Sequence, residues 1–419
     1  MNIGIDARYL ENEMTGIGRY SYNLLANLFE LDLDNRYHVF LRSSYRGKVP
    51  RHPNAMYHYV PYPPISLRSV FPVGSRRLIR DLDLLHSHFP VAPLFPHPRS
   101  VVTVHDLQPL LEPRLAARRS LLLRIGYRVY YPLFYRTTLY RADAVIAVSN
   151  ATRWYVEAHL GIPRERVHVV YEALDERFRR PDCRVQPGSV ANRYLLPHAF
   201  LLYVGATLPH KNLIRLLEGY ALAVRSGAIP DVHLVLAGRP SRFEGEIKGS
   251  IQRLGIGGLV HTIGYVRPED LPVLYSMALG VLYVTRFEGF GYPPLEALEC
   301  GTPVVVSAHG ALPEVVGPCG IFVDPDDVKG IAKAVREVVT NTGLRSRILS
   351  MAKERLGRFD WRRAASQTLR IYQEVHRGRA SVSTKANRCS RPPEGPQAGL
   401  AMDPGSCAAP DACGTRGGA

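Results

Sequence analysis

Long apolar runs are missing from this chain, and so are paired cysteines. No window holds the uncharged apolar stretch of about 20 residues needed to cross a bilayer. Asp6 and Arg8 interrupt the first apolar run, so no signal peptide is expected. The cysteines are Cys183, Cys300, Cys319, Cys389, Cys407 and Cys413, and none form a C-x-x-C pair. That is not a zinc or disulfide framework, and it suits a reducing compartment. A cytoplasmic protein is expected, with room for peripheral contact at the inner face of the cell membrane. Acidic charge is also in short supply: 53 Lys and Arg stand against 37 Asp and Glu, a formal charge of +16. Such an excess attracts nucleic acid, acidic headgroups or phosphorylated substrates, and a solvated Arg-rich surface would look the same. No nucleic-acid motif accompanies it, and the aromatics form no stacking platform.

What is present is an alternation of short apolar runs with helical stretches over 419 residues, enough for two domains of ordinary size. In the first half, Asn2–Ala7, Tyr37–Leu41, Leu84–His88, Val101–His105 and Ala144–Ser149 read as strands. Gly18–Leu31 and Leu115–Arg141 read as helices. In the second half the strands are Phe200–Gly205, His233–Gly238, Val260–Gly264, Gly280–Thr285 and Thr302–Ser307. Helices should start near Asn212, Arg267, Pro293 and Asp326. This is the pattern of two successive Rossmann-like units, an α/β fold whose ligands bind where strand ends face a cleft. The units are expected over residues 1–180 and 197–360, joined across the irregular, Pro-containing segment Phe178–Pro197. An amphipathic helix over 361–377 follows, then a disordered tail over 378–419 in which Ser, Pro, Gly, Ala and Arg dominate.

The strongest local signal is Glu288-Gly-Phe-Gly-Tyr-Pro-Pro-Leu-Glu296, placed between the strand Gly280–Thr285 and a helix. Gly289 and Gly291 let the backbone turn and approach a ligand. Pro293 and Pro294 suit a helix start, where free N–H groups can bind hydroxyls or phosphate. Glu288 before the turn and Glu296 in the first helical turn can then contact different parts of one polyhydroxylated molecule.

This pattern resembles the family 4 retaining glycosyltransferases, whose signature is two Glu separated by seven residues. The neighbouring Gly301-Thr-Pro-Val-Val is similar too, as are Gly16-Ile-Gly-Arg-Tyr20, Thr103-Val-His-Asp106, Ala142-Asp-Ala-Val-Ile-Ala-Val-Ser149 and Lys211-Asn212. The resemblance runs from Met1 to about His376. It implies the two-Rossmann GT-B fold, with the C-terminal helix crossing back to the first domain. It also implies roles. Glu288 would contact hydroxyls of the donor sugar near the reacting face, and the backbone N–H groups of Phe290 and Gly291 would hold others. Glu296 would bond the nucleotide ribose. His105 would donate to a sugar hydroxyl, with Asp106 either orienting it or capping the next segment.

Two further features bear on the donor. Gly16-Ile-Gly18 follows the first strand and opens a helix, so its N–H groups could meet the donor diphosphate; a plain tight turn is the equal alternative. Lys211, at a strand–helix junction, can neutralise the leaving diphosphate in place of a metal. The family usually adds a second basic residue nearby, and here only His210 or Arg239 is placed to substitute. Asp32-Leu-Asp34 and Asp81-Leu-Asp83 match an Asp-x-Asp metal motif superficially, but neither follows an apolar strand into a Gly-rich pocket, and no catalytic metal or other cofactor is expected. His86 and His88 read as structural.

Arg114–Arg141 interleaves arginines with Leu, Tyr and Phe. Such a segment suits an anionic membrane surface or a lipid-diphosphate acceptor; a partly buried helix with a basic outer face is the alternative, and the pattern leaves both open. The expected activity is transfer of a hexose to a polysaccharide or lipid-linked acceptor. GDP-mannose is the favoured donor by likeness to bacterial mannosyltransferases of surface-polysaccharide assembly, with UDP-glucose and UDP-N-acetylglucosamine open. The alternatives are a nucleotide-sugar epimerase on the same fold, a glycosidase and a non-catalytic basic binding protein.

Overall fold

Asn2-Ile-Gly-Ile-Asp6 forms β1, and its last four residues are buried. It sits centrally in a seven-stranded sheet with β2 (Arg36–Arg42), β3 (Ala55–Val60), β4 (Leu84–Ser87), β5 (Arg99–Val104), β6 (Ala144–Ala147) and β7 (Val167–Val169), in the order β3-β2-β1-β4-β5-β6-β7. A second, six-stranded sheet holds β8 (Phe200–Val204), β9 (His233–Ala237), β10 (Val260–Gly264), β11 (Gly280–Tyr283), β12 (Val304–Ser307) and β13 (Ile321–Val323), in the order β10-β9-β8-β11-β12-β13. Every pairing is parallel. Parallel strands covered by helices on both faces need apolar side chains on both. The fully buried runs of β4, β11 and β12 meet that need. The computed structural model describes residues 1–11, 15–64, 66–71, 76–93, 99–107, 132–179, 184–229 and 231–378.

Helix ends follow their local chemistry. The helix Gly16–Leu31 is capped by Thr15, whose side chain accepts from the Gly18 N–H, and it buries Tyr20, Leu24, Leu25 and Leu28 at helical spacing. The last helix, Trp361–Arg377, is capped by Asp360 and closed by Gly378 at φ 75°. Its buried stripe packs on the first helix. The Tyr372 hydroxyl meets His86 Nδ1 at 2.5 Å, and Arg99 donates to the His376 carbonyl at 2.6 Å. The chain therefore returns to its first sheet, as expected.

Three strands escaped the sequence reading. β3 is half-exposed with no clean apolar run, and β7 and β13 hold three residues each. Several expected strands end one or two residues early, which leaves His88, His105, Gly205 and Thr285 in the loops beyond the ladders. The segment read as irregular, Phe178–Pro197, contains the helix Pro187–Tyr194, started by Pro187. Of Arg114–Arg141, residues 114–131 lie outside the described residues; 132–141 are helical and bury Phe134, Tyr135 and Leu139. The tail from residue 379 also lies outside them. Among the described residues, no helix is long and apolar enough to cross a membrane.

Strand order reverses beside β1 in one sheet and beside β8 in the other. Ligands of open parallel sheets bind at such switch points. Loops following β1, β5, β8 and β11 indeed line one cavity of about 1040 Å³.

Candidate active site

After β11 the chain turns through Phe287-Glu-Gly-Phe-Gly291 into the helix Tyr292–Glu299. Gly291 takes φ 96°, and a β-carbon on it would meet Leu312 at 2.5 Å, so glycine is required twice over. Pro293 and Pro294 fill the first helical turn, where missing N–H groups cost nothing.

The turn delivers Glu288 to a closed triangle. Its Oε1 accepts from Lys211 Nζ at 2.6 Å and from the Tyr283 hydroxyl at 3.0 Å, and Lys211 also donates to Tyr283 at 2.9 Å. Burial alone would lower the Lys211 pKa, but Glu288, Tyr203 and Asp106 together outweigh this and the pKa is raised. The ammonium is thus held charged in the cavity wall. Burial, then Glu288, pushes the Tyr283 phenol well up, so it stays a donor.

Eight residues on, Glu296 is buried and held at both oxygens, by Arg19 of the first half and by the Tyr275 hydroxyl at 2.8 Å. His105, just past β5, has acceptors on both ring nitrogens: Glu172 at Nδ1 (2.8 Å) and the His88 carbonyl at Nε2 (3.0 Å). The carboxylate orienting the imidazole is therefore Glu172, not Asp106. Asp106 lines the cavity and helps raise the Lys211 pKa.

Contacts between the halves seat these loops. Thr152 Oγ1 donates to the Gly289 carbonyl at 3.2 Å. Glu314 accepts from the backbone N–H groups of Asn150 at 2.8 Å and Ala151 at 3.0 Å, a carboxylate on the first turn of the helix Asn150–Leu160.

Comparison with known proteins fits this geometry. Residues 14–178 match the model described as Glycosyltransferase Family 4, and 196–355 match Glycosyl transferases group 1. The alpha-maltose-1-phosphate synthase of Mycolicibacterium smegmatis is 31% identical over 296 residues, 66% of this chain and 73% of that one. The chain is a family 4 glycosyltransferase. The O-antigen chain mannosyltransferase B of Escherichia coli is 27% identical to it over 380 residues, 86% of this chain and 96% of that one. Sucrose-phosphate synthase from Thermosynechococcus elongatus shares the GT-B fold with a TM-score of 0.69 at 18% identity, covering 90% of this chain and all of that one.

In this glycosyltransferase the residues singled out in the sequence converge only in part. Gly16, His105, Asp106, Lys211, Glu288, Phe290, Gly291 and Glu296 all line the cavity. Gly18 is not in the lining, and its N–H goes to Thr15 at 3.3 Å, so it starts the helix rather than offering a donor to a ligand. His210 lines the cavity but cannot serve as the second cation: burial, reinforced by Lys211, pushes its pKa down to about 2. Arg239 does line the cavity, its guanidinium 4.8 Å from the centre of the Tyr265 ring. Asp32 and Asp83 bond within the first sheet's loops, Asp32 to Asn35 and Asp83 to the Asn2 N–H, away from the cavity. Among the described residues, no three His, Cys, Asp or Glu group as metal ligands.

Sequence reading missed Arg19, Glu172, Asp175, Tyr275 and Tyr283. Arg19 lay in plain view inside Gly16-Ile-Gly-Arg-Tyr20. Glu172, which lines the cavity, and Asp175, which holds Arg19, both follow β7, a strand too short to signal its own end.

Proposed function

We propose that this glycosyltransferase moves a hexose, mannose from GDP-mannose, to a polysaccharide or lipid-linked saccharide acceptor, with retention at the anomeric carbon. The observation that carries the reading is the Glu288–Lys211–Tyr283 triangle in the wall of a cavity shared by both halves. The mannose assignment is supported by the mannosyltransferase relative, which this chain covers over 96% of its length.

In this reading Glu288 faces the donor sugar and stabilises positive charge as the glycosidic bond loosens. Lys211 draws its charge from Glu288 toward the departing diphosphate, with Arg239 as the second cation and no metal required. Backbone N–H groups of Gly16, Phe290 and Gly291 hold phosphate and sugar oxygens. His105 turns Nε2 from the His88 carbonyl to a sugar hydroxyl, and Glu296 takes the ribose. The acceptor hydroxyl attacks the anomeric carbon on the face the leaving group departs from. The carbon–phosphate-oxygen bond breaks with its electron pair going to the nucleotide, and the acceptor proton passes to the leaving phosphate. The basic segment Arg114–Arg141 brings the enzyme to an anionic membrane carrying that acceptor.

Thermal unfolding with GDP-mannose, UDP-glucose and UDP-N-acetylglucosamine tests the donor, since ligand at 100 times its dissociation constant stabilises by about 2.7 kcal/mol. GDP-mannose should give the largest shift. Anomeric NMR of the product then reads retention. An inverted product, an epimerised donor or hydrolysis without transfer would each refute the reaction as written.

A further inference from the structure

Arg19 stands near the positive end of a helix, where a cation is disfavoured, and the first turn of Gly16–Leu31 carries no acid to compensate. Local preference therefore does not account for it. Tertiary contacts do. From the other half, Glu296 Oε1 accepts from Nη1 at 2.5 Å and the centre of the Tyr292 ring lies 4.4 Å from the guanidinium; from Arg19's own half, Asp175 Oδ2 accepts from Nε at 2.9 Å. Burial alone would depress the Arg19 pKa; Glu296 first, then Asp175, reverse this and raise it. Arg19 lines the cavity, and its Nη2 is buried with no partner among the described residues.

Glu296 is thereby held from two sides. Tyr275, on the same half as Glu296, grips Oε2 from within that half at 2.8 Å. Arg19 grips Oε1 from the opposite half, and can do so only when the halves are together. A carboxylate fixed at both oxygens keeps one orientation and still has lone pairs for a ligand hydroxyl.

We propose that Arg19 is a positioning residue that orients Glu296 for the ribose hydroxyls of the donor nucleotide, so that the nucleotide pocket is complete only in the closed cleft. The inference rests on the function proposed above and names the residue that couples closure to nucleotide recognition.

The test uses the full chain as wild type, R19K, R19Q, E296Q and R19Q/E296Q. Calorimetry measures binding of GDP and of 2′,3′-dideoxy-GDP, or the uridine pair if UDP binds instead. Wild type should prefer the nucleotide with ribose hydroxyls by about tenfold or more, the worth of a charge-assisted hydrogen bond. R19Q should lose most of that preference, and the double variant should be no worse than E296Q. R19K, which keeps the charge but not the fork that spans two carboxylates, should restore part of it. A protein with merely loosened packing would lose affinity for both nucleotides equally and keep the preference. Full preference in both R19Q and R19K, or independent, multiplying effects of R19Q and E296Q, would overturn the proposal. Failure of the wild-type chain to bind either nucleotide would overturn the transferase reading of the site itself.

Discussion

Gly289 lies so close to His105 that a β-carbon on it would stand 1.6 Å from the His105 carbonyl oxygen. One residue belongs to the loop after β11 and the other to the loop after β5, so the two halves meet backbone to backbone at the site. Gly289→Ala should therefore force the loops apart by an ångström or more. A displacement of that size typically costs about 100-fold in rate, while each half keeps its own core. Initial rates should fall on that scale with a nearly unchanged melting temperature. Wild-type rates would show that the closed contact is not needed.

Glu288 and Lys211 neutralise one another in the cavity wall. Glu288→Gln keeps the shape and removes the charge, and should lower kcat by about 100- to 1000-fold, the usual loss when one electrostatic stabiliser of a transition state goes. Nucleotide affinity should change little, because Lys211 remains. A fully active E288Q enzyme would remove Glu288 from the reacting centre.

His86, His88 and His210 are buried, and burial lowers all three pKa values, to about 3 for His86 and about 2 for His210. Unfolded, each protonates near the ordinary value of about 6.5. Below that pH the unfolded chain binds more protons than the folded one, so stability falls as pH drops from about 6.5 toward 3, by roughly 1.4 kcal/mol per pH unit for each histidine inside the window. Urea midpoints should be level above pH 7 and decline steeply between pH 6 and 5. His86→Gln should make that slope shallower by the contribution of one histidine, roughly 1.4 kcal/mol per pH unit. An unchanged slope would mean His86 protonates readily in the folded state.

Glu314 caps a helix that belongs to the other half. Losing a helix cap costs about 1 kcal/mol, and here the loss falls on the closed arrangement. Glu314→Ala should weaken nucleotide binding several-fold without changing the preference for ribose hydroxyls. Loss of that preference would instead place Glu314 in the orientation of Glu296.

Apolar runs, glycine and proline placement, and the spacing of Glu288 and Glu296 determined much of this protein from the sequence alone: two parallel sheets, the site-bearing turn and the amphipathic last helix, whose return to the first domain only the family resemblance implied. These are properties of residues close in the chain, where periodicity and turn chemistry act. What lay beyond that reach was decided by tertiary contact. Whether a carboxylate faces a ligand or a protein cation depends on groups far apart in sequence, such as Arg19 and Glu296, or Lys211 and Glu288. His210 looked basic beside Lys211 until burial removed its charge. Gly18 looked like a ligand-binding turn until Thr15 took its N–H. Charge, desolvation and hydrogen-bond partners are set by the folded surroundings, and no local pattern encodes them.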